Sequence, residues 1–171
     1  MKLSSKKIMS LQRFAVERRR LKRARKKLVV TNGCFDILHL GHVYYLQRAR
    51  KMGDALLVAL NSDASVRALK GPERPVRNEK ERATMLAALE TVDYVVIFRQ
   101  PTAERILKAV APDVWVKGGD YTPGALNRGE VRAVQDKGGK IRLMPVLEGY
   151  STTSFLRKLE SEGRGRASWT P

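Results

Sequence analysis

Thr31-Asn32-Gly33-Cys34-Phe35-Asp36-Ile37-Leu38-His39-Leu40-Gly41-His42 is the stretch on which the reading of this chain turns. Ahead of it, Leu28-Val29-Val30 is a short apolar run that reads as a buried strand. Behind it, Val43 to Met52 carries Leu46 and Ala49 at helical spacing. The stretch is therefore a strand-to-helix turn, and it contains both histidines of the chain. Gly41 lets the backbone come close to a ligand. The two imidazoles flank it at a helix start, whose first N–H groups lack partners and favour anions. Paired histidines donating to phosphate oxygens would stabilise charge that grows in a transition state. Two other readings stand beside this one, a purely structural histidine pair and half of a metal site. Zinc takes three or four ligands, and the chain offers one cysteine, Cys34, and no third histidine.

Bulk properties narrow the class. A chain of 171 residues has the size of one domain with a real core. No apolar run approaches the roughly 20 residues of a membrane span, and no hydrophobic signal-peptide core stands at the N-terminus. A single cysteine makes no internal disulfide, which fits a reducing compartment. A cytoplasmic location without membrane insertion is the expectation. Cys34 reads as a small filler at the strand end rather than a nucleophile.

The net charge is +17, and residues 1–27 hold twelve Lys or Arg against one acid, Glu17. Such a leader would touch nucleic acid or an anionic membrane surface, or steer phosphorylated substrates. It is also Arg-rich and acid-poor, like an organellar transit peptide, but it runs straight into the first strand. Leu11, Phe14, Ala15, Arg18, Leu21 and Ala24 form a stripe that docks a helix on the domain. The docked helix is the preferred reading, with nucleic-acid binding secondary.

Further along, Ala55 to Leu60 is continuously apolar, as buried parallel strands are. It ends in Asn61-Ser62-Asp63, polar groups at a strand's carboxyl end, where open α/β sheets bind ligands. Lys70-Gly71-Pro72-Glu73-Arg74-Pro75-Val76-Arg77 reads as a basic loop able to close over phosphate, with Lys70 and Arg74 as candidate contacts. Asn78 with Glu81 suggests an N-cap opening a helix through Glu90, with Met85, Leu86 and Leu89 buried. Asp93–Phe98 is a third strand, and Pro101-Thr102 opens a helix to about Val110. Asp113–Val116 is a fourth strand. Lys117-Gly118-Gly119-Asp120 follows it, offering a point charge for phosphate, a close backbone and a hydroxyl acceptor. Glu130–Gln135 supports another helix and Lys140–Met144 a fifth strand. Ser151 is a candidate N-cap within Glu148-Gly149-Tyr150-Ser151-Thr152-Thr153, whose amides and hydroxyls would hold phosphates at a second helix N-terminus. The segment 161–171, rich in Gly, Arg and Ser, reads as a disordered tail. The alternation predicts an α/β, doubly wound, five-stranded parallel sheet with its site in the crevice at the strand ends.

Gly33-Cys34-Phe35-Asp36 followed by His39-Leu40-Gly41-His42 resembles the signature of small nucleotidyltransferases related to class I aminoacyl-tRNA synthetases. Together with Asn61-Ser62-Asp63, Val116-Lys117-Gly118-Gly119-Asp120-Tyr121 and Glu148–Thr153, it resembles the heptose-1-phosphate adenylyltransferases of the ADP-heptose pathway. The resemblance runs from about residue 10 to 160. It implies a Rossmann-like sheet of the HxGH nucleotidyltransferase type over 28–160, preceded by the basic helical leader. It implies transfer of adenylyl from ATP, with Mg²⁺, to a heptose 1-phosphate, and catalytic roles for His39, His42 and Lys117. Nucleotide contacts are implied for Asn32, Gly33, Cys34, Phe35, Gly41, Arg82, Gly118, Tyr150, Ser151, Thr152 and Thr153. Sugar-phosphate contacts are implied for Asp36, Asn61, Asp63, Lys70, Arg74, Gly119 and Asp120. Asp36 would organise the metal or the turn, and Arg82 has a surface ion pair with Glu79 as its alternative. The family is sometimes fused to a sugar kinase, so a separate heptose kinase and a homodimer are the expected partners.

The chain also resembles glycerol-3-phosphate cytidylyltransferases. These place an Arg-Thr pair before the Glu-Gly, where this chain has Val146-Leu147. That departure favours ATP over CTP. A nucleic-acid-binding module using the leader is the rival from a different class.

Overall fold

A computed structural model of the chain describes residues 6–118 and 123–145. Within them the polypeptide alternates strand and helix. β1 (Leu28–Gly33), β2 (Ala55–Asn61), β3 (Tyr94–Phe98), β4 (Val114–Gly118) and β5 (Lys140–Met144) form one sheet in the order β3-β2-β1-β4-β5. Every neighbouring pair is parallel. The chain builds outward from β1 to β3, then crosses back to β4, so the order reverses between β1 and β4. That reversal opens a crevice at the carboxyl ends.

The continuously apolar strands are explained by their two covered faces. Along β2, Ala55, Leu57 and Ala59 enter one core, while Leu56, Val58 and Leu60 enter the other. The first core lies under α1 (Leu11–Arg23), α5 (Glu104–Val110) and α6 (Arg128–Gln135). The second lies under α2 (Leu40–Arg50) and α4 (Glu79–Ala88). A strand buried on both faces has no use for polar alternation.

Helix α1 docks through Phe14, Arg18 and Leu21. Phe14 meets Tyr94 of β3 edge-on at 5.2 Å. Ahead of the helix, Ile8 pairs in parallel with Val95, and Lys7 and Met9 exchange backbone hydrogen bonds with Val95. The leader thus covers part of the edge strand β3, whose free N–H and C=O groups would otherwise invite pairing. Arg18 lies within the sequence stripe despite its charge. Its Nε donates to the Val110 carbonyl and its Nη2 to Ala111, and it pairs with Asp113 at 3.1 Å. Those carbonyls are the unpaired end of α5, where a cation is favourable.

The structure differs from the sequence reading at several element ends. A helix α3 (Asp63–Lys70) occupies a segment of which the sequence reading placed only the ends, Asp63 at a strand end and Lys70 in a loop. Ser62 caps it, accepting from the Ser65 N–H. Its eight residues bury one large apolar side chain, Val66, too little periodicity to read. Lys70 is therefore the last residue of α3 rather than part of the loop. Helix α4 is capped by Asn78 as expected but ends at Ala88, and Met85 is 43% exposed where burial was expected. Helix α5 starts at Glu104, because the Ala103 carbonyl takes the first helical hydrogen bond, from Leu107. Helix α6 starts two residues before Glu130, capped by Asn127. The helix expected from Ser151 and the tail 161–171 lie outside the described residues.

Candidate active site

The crevice is a cavity of about 650 Å³ lined from four strand ends and the starts of α2 and α6. Its floor is the turn after β1. Phe35 adopts φ 44°, a left-handed conformation uncommon outside glycine. The turn folds its ring back over Gly33, where an added Cβ would lie 3.1 Å from the ring. The same ring lies against His42 with centroids 5.1 Å apart. Asp36 is buried and accepts from Arg74 Nη1 at 2.7 Å and from the Val76 and Arg77 amides. Its carboxylate therefore organises the turn, and it holds the 71–77 loop against the site.

His39 is the N-cap residue of α2, with extended backbone and no side-chain cap bond. The helix opens into the cavity, and the Leu40 and Gly41 amides are orphan donors of the kind that bind phosphate. The rings of His39 and His42 stack with centroids 3.8 Å apart. Both Nδ1 atoms are buried and without a hydrogen-bond partner among the described residues. Burial pushes His42 down to about 4, helped by His39 and Lys70 and opposed by the Ile37 carbonyl. Burial also lowers His39. The pair is thus a neutral donor set at physiological pH.

Two lysines bring positive charge. Lys70 arrives from the end of α3 and Lys117 from β4. Burial lowers Lys117, while the charge of Glu130 raises it. Its ammonium sits 5.5 Å from the centre of the Trp115 ring. A desolvated ammonium gains from an arriving phosphate. Behind Lys117, the Tyr45 hydroxyl donates to the Val116 carbonyl at 2.9 Å and accepts from Thr31 at 2.7 Å. This strap ties α2 to β1 and β4 across the reversal. Gly118 admits the Tyr45 ring, since a Cβ there would lie 2.7 Å from it. Asn32 also lines the cavity and accepts from the Trp115 indole at 3.0 Å. Burial raises the Cys34 thiol above its ordinary value, so Cys34 is no thiolate nucleophile.

Other expected site residues are placed differently. Arg82 is buried away from the cavity lining. Its Nε donates to the Arg77 carbonyl, its Nη1 to the Cys34 carbonyl and its Nη2 to Asp63 at 2.7 Å. It acts as a clamp beneath the turn, and its ion-pair partner is Asp63 rather than Glu79. Glu79 instead accepts from the Asp63 amide. Asp63 and Arg74 are not among the residues that line the cavity, and each is committed to an ion pair. Asn61 does line the cavity and donates to Ser65. Gly119, Asp120, Tyr150, Ser151, Thr152 and Thr153 lie outside the described residues. Sequence reasoning missed Glu130, which is 7% exposed and lines the cavity. Asn127 with Glu130 three positions on is a capping-box pattern, which marked the helix but hid the carboxylate's direction.

Among the described residues no group of three His, Cys, Asp or Glu side chains could hold a metal ion. No helix there is long and apolar enough to cross a membrane.

Comparison with known proteins places the chain in a family. The chain is 51% identical over 158 residues to the Bifunctional protein HldE of Geotalea uraniireducens, covering 92% of this chain and 32% of that one. It is 52% identical over 134 residues to the Bifunctional protein HldE of Geobacter metallireducens, covering 78% and 27%. The chain thus spans about a third of the length of the curated relatives it matches. A lipopolysaccharide core biosynthesis protein from Thermoplasma volcanium superposes with TM-score 0.58 at 26% identity, covering 74% of this chain and 99% of that chain. A pantoate-beta-alanine ligase from Francisella tularensis superposes with TM-score 0.61 at 15% identity, covering 89% and 72%, and shares the fold. The cytidylyltransferase-like family model matches residues 30–158, from the strand before the histidine turn to beyond the described residues, and the chain belongs to the cytidylyltransferase-like family.

Proposed function

We propose that the protein transfers adenylyl from ATP to a heptose 1-phosphate, giving ADP-heptose and pyrophosphate. The observation that carries this reading is the stacked His39–His42 pair at the open start of α2, facing the same cavity as Lys70 and Lys117. A phosphate oxygen of the sugar phosphate attacks the α-phosphorus of ATP in line. The bond from that phosphorus to the β-bridging oxygen breaks, and pyrophosphate leaves with the electron pair. The attacking oxygen is already ionised, so the site needs no base or nucleophile of its own. It needs placement and charge stabilisation, as other phosphoryl transfers do. His39 and His42 donate to the α-phosphate and the leaving oxygen, the α2 amides hold phosphate oxygens, and Lys117 and Lys70 neutralise charge.

Mg²⁺ accompanies the triphosphate and neutralises part of its charge. This ion keeps most of its waters and binds substrate phosphates readily. With Asp36 already accepting three hydrogen bonds, the ion is held chiefly by the nucleotide. Tyr150 to Thr153, Gly119 and Asp120 complete the phosphate and sugar contacts. The heptose assignment rests on the resemblance of the four motifs and on about 50% identity to Bifunctional protein HldE. A kinase activity supplies the sugar phosphate in the cytoplasm, and the protein works as a homodimer.

The test is pyrophosphate release with ATP or CTP crossed against heptose 1-phosphate or glycerol 3-phosphate. Turnover confined to ATP with heptose 1-phosphate, lost in chelator and restored by Mg²⁺, is the expected result. Turnover confined to CTP with glycerol 3-phosphate would replace it.

A further inference from the structure

Asn127 and Glu130 stand at the N-cap and third positions of α6, where a glutamate ordinarily turns back onto its own N-cap amide. Here Glu130 reaches away. Its Oε1 accepts at 2.7 Å from the amide of Ala103, the N-cap residue of α5, which has no side-chain cap of its own. The carboxylate is thereby fixed between the starts of two helices. It also lines the cavity, opposite in sign to Lys117, Lys70 and the α2 amides.

The other carboxylate among the described lining residues, Asp36, is paired with Arg74 and with two amides. Among the described residues Glu130 makes no ion pair with an arginine, and its side chain repels any phosphate brought near. The walls beside it, Phe98, Pro101, Ala103 and Leu126, are apolar. A cavity for two phosphorylated substrates therefore carries, beside Lys117 and Lys70, one buried carboxylate that accepts hydrogen bonds and whose charge Lys117 feels. We infer that Glu130 reads hydroxyl groups: the lobe between the starts of α5 and α6 takes the polyhydroxylated ring of a substrate, and the carboxylate accepts from one or two of its hydroxyls. This rests on the nucleotidyl-transfer reading of the cavity. The ring is the acceptor sugar or the ribose of the nucleotide, and these share the same chemistry.

Glu130→Gln preserves the carbonyl that holds the Ala103 amide and removes the charge. KM for one of the two substrates should rise about tenfold or more, with kcat within about twofold. A hydroxyl-deleted form of that substrate should lose the same factor in the wild type and nothing further in the variant. A matched loss with 2′-deoxy- or 3′-deoxy-ATP assigns the ribose. A matched loss with deoxyheptose 1-phosphates assigns the acceptor. Unchanged KM values overturn the inference. So does an equal loss with every analogue, which marks a purely structural role. So does a matched loss only with the ATP analogue lacking the adenine amino group. Calorimetric titration of ATP alone and of heptose 1-phosphate alone separates the two proposals. Glu130-dependent binding of a hydroxyl-bearing ligand without turnover would sink the transfer reaction and keep the inference. No binding of either ligand would sink both.

Discussion

The imidazole of His39 lies on that of His42, with ring centroids 3.8 Å apart and planes 28° from parallel. Two cations at that distance would repel strongly, and both Nδ1 atoms are already cut off from water. The arrangement is therefore one for neutral rings, and acid is its natural antagonist.

Stability should follow His42. Its folded-state value of about 4 lies below the ordinary 6.5, so the unfolded chain takes the proton first as pH falls. The stability tied to the neutral ring is whole above about pH 6.5 and is lost as pH drops towards 4. Thermal unfolding of the wild type across that window should show a steeper fall in Tm than His42→Asn. Equal slopes would disprove the assignment.

Catalysis should depend on each ring separately. His39→Ala and His42→Ala should each lower kcat by roughly 100- to 1,000-fold, the usual cost of one donor to a developing charge. ATP affinity measured by titration should change far less. A variant that loses ATP binding and turnover in equal proportion would recast its histidine as a ground-state contact.

Arg82 carries a structural prediction despite the resemblance that assigns it to nucleotide. Arg82→Met would strip Asp63 of its counter-ion and leave the Cys34 and Arg77 carbonyls without their donor. The expected loss is about 3 kcal/mol, read as a Tm drop of roughly 6–12 °C. A variant with unchanged Tm but weakened ATP binding would return Arg82 to the nucleotide.

Asp36→Ala removes one acceptor from three donors at once. The amides of Val76 and Arg77 should exchange hydrogen faster, and KM for the sugar phosphate should rise as the 71–77 loop loosens. Unaltered exchange in that peptide would show that the loop is held by other means.

The leader offers a contrast within one helix. Arg18→Met should cost about 3 kcal/mol because it uncaps α5 and leaves Asp113 without its partner. Arg19→Gln and Arg23→Gln, on the exposed face, should leave Tm within about 2 °C and turnover intact. If the two surface variants abolish turnover while Arg18→Met does not, the leader serves the substrate rather than the fold.

Local rules made much of this protein legible from its sequence. Four apolar runs and the alternating Lys140–Met144, separated by helical spacing, led to a parallel sheet, because a strand covered on both faces is apolar throughout while an edge strand need not be. Asn78 announced its helix because a cap acts over three residues. His39-Leu40-Gly41-His42 announced the site because its chemistry is contained in one turn. Helix α3 was illegible for the same reason reversed, since eight residues with one buried large apolar side chain carry almost no period.

Tertiary structure alone decided what the charged residues do. A guanidinium or carboxylate can satisfy any partner within reach, and folding brings partners from far along the chain. Arg82 meets Cys34 across 48 positions, Arg18 meets Ala111 across 93, and Glu130 meets Ala103 across 27. From sequence, Arg82 and Arg74 look like phosphate ligands and Glu130 like a helix start. The assembled sheet commits Arg82 and Arg74 to holding the turn and turns Glu130 into the wall of the cavity. Backbone pattern is a short-range property of the chain, whereas the direction of a buried charge is fixed only by what the completed fold places beside it.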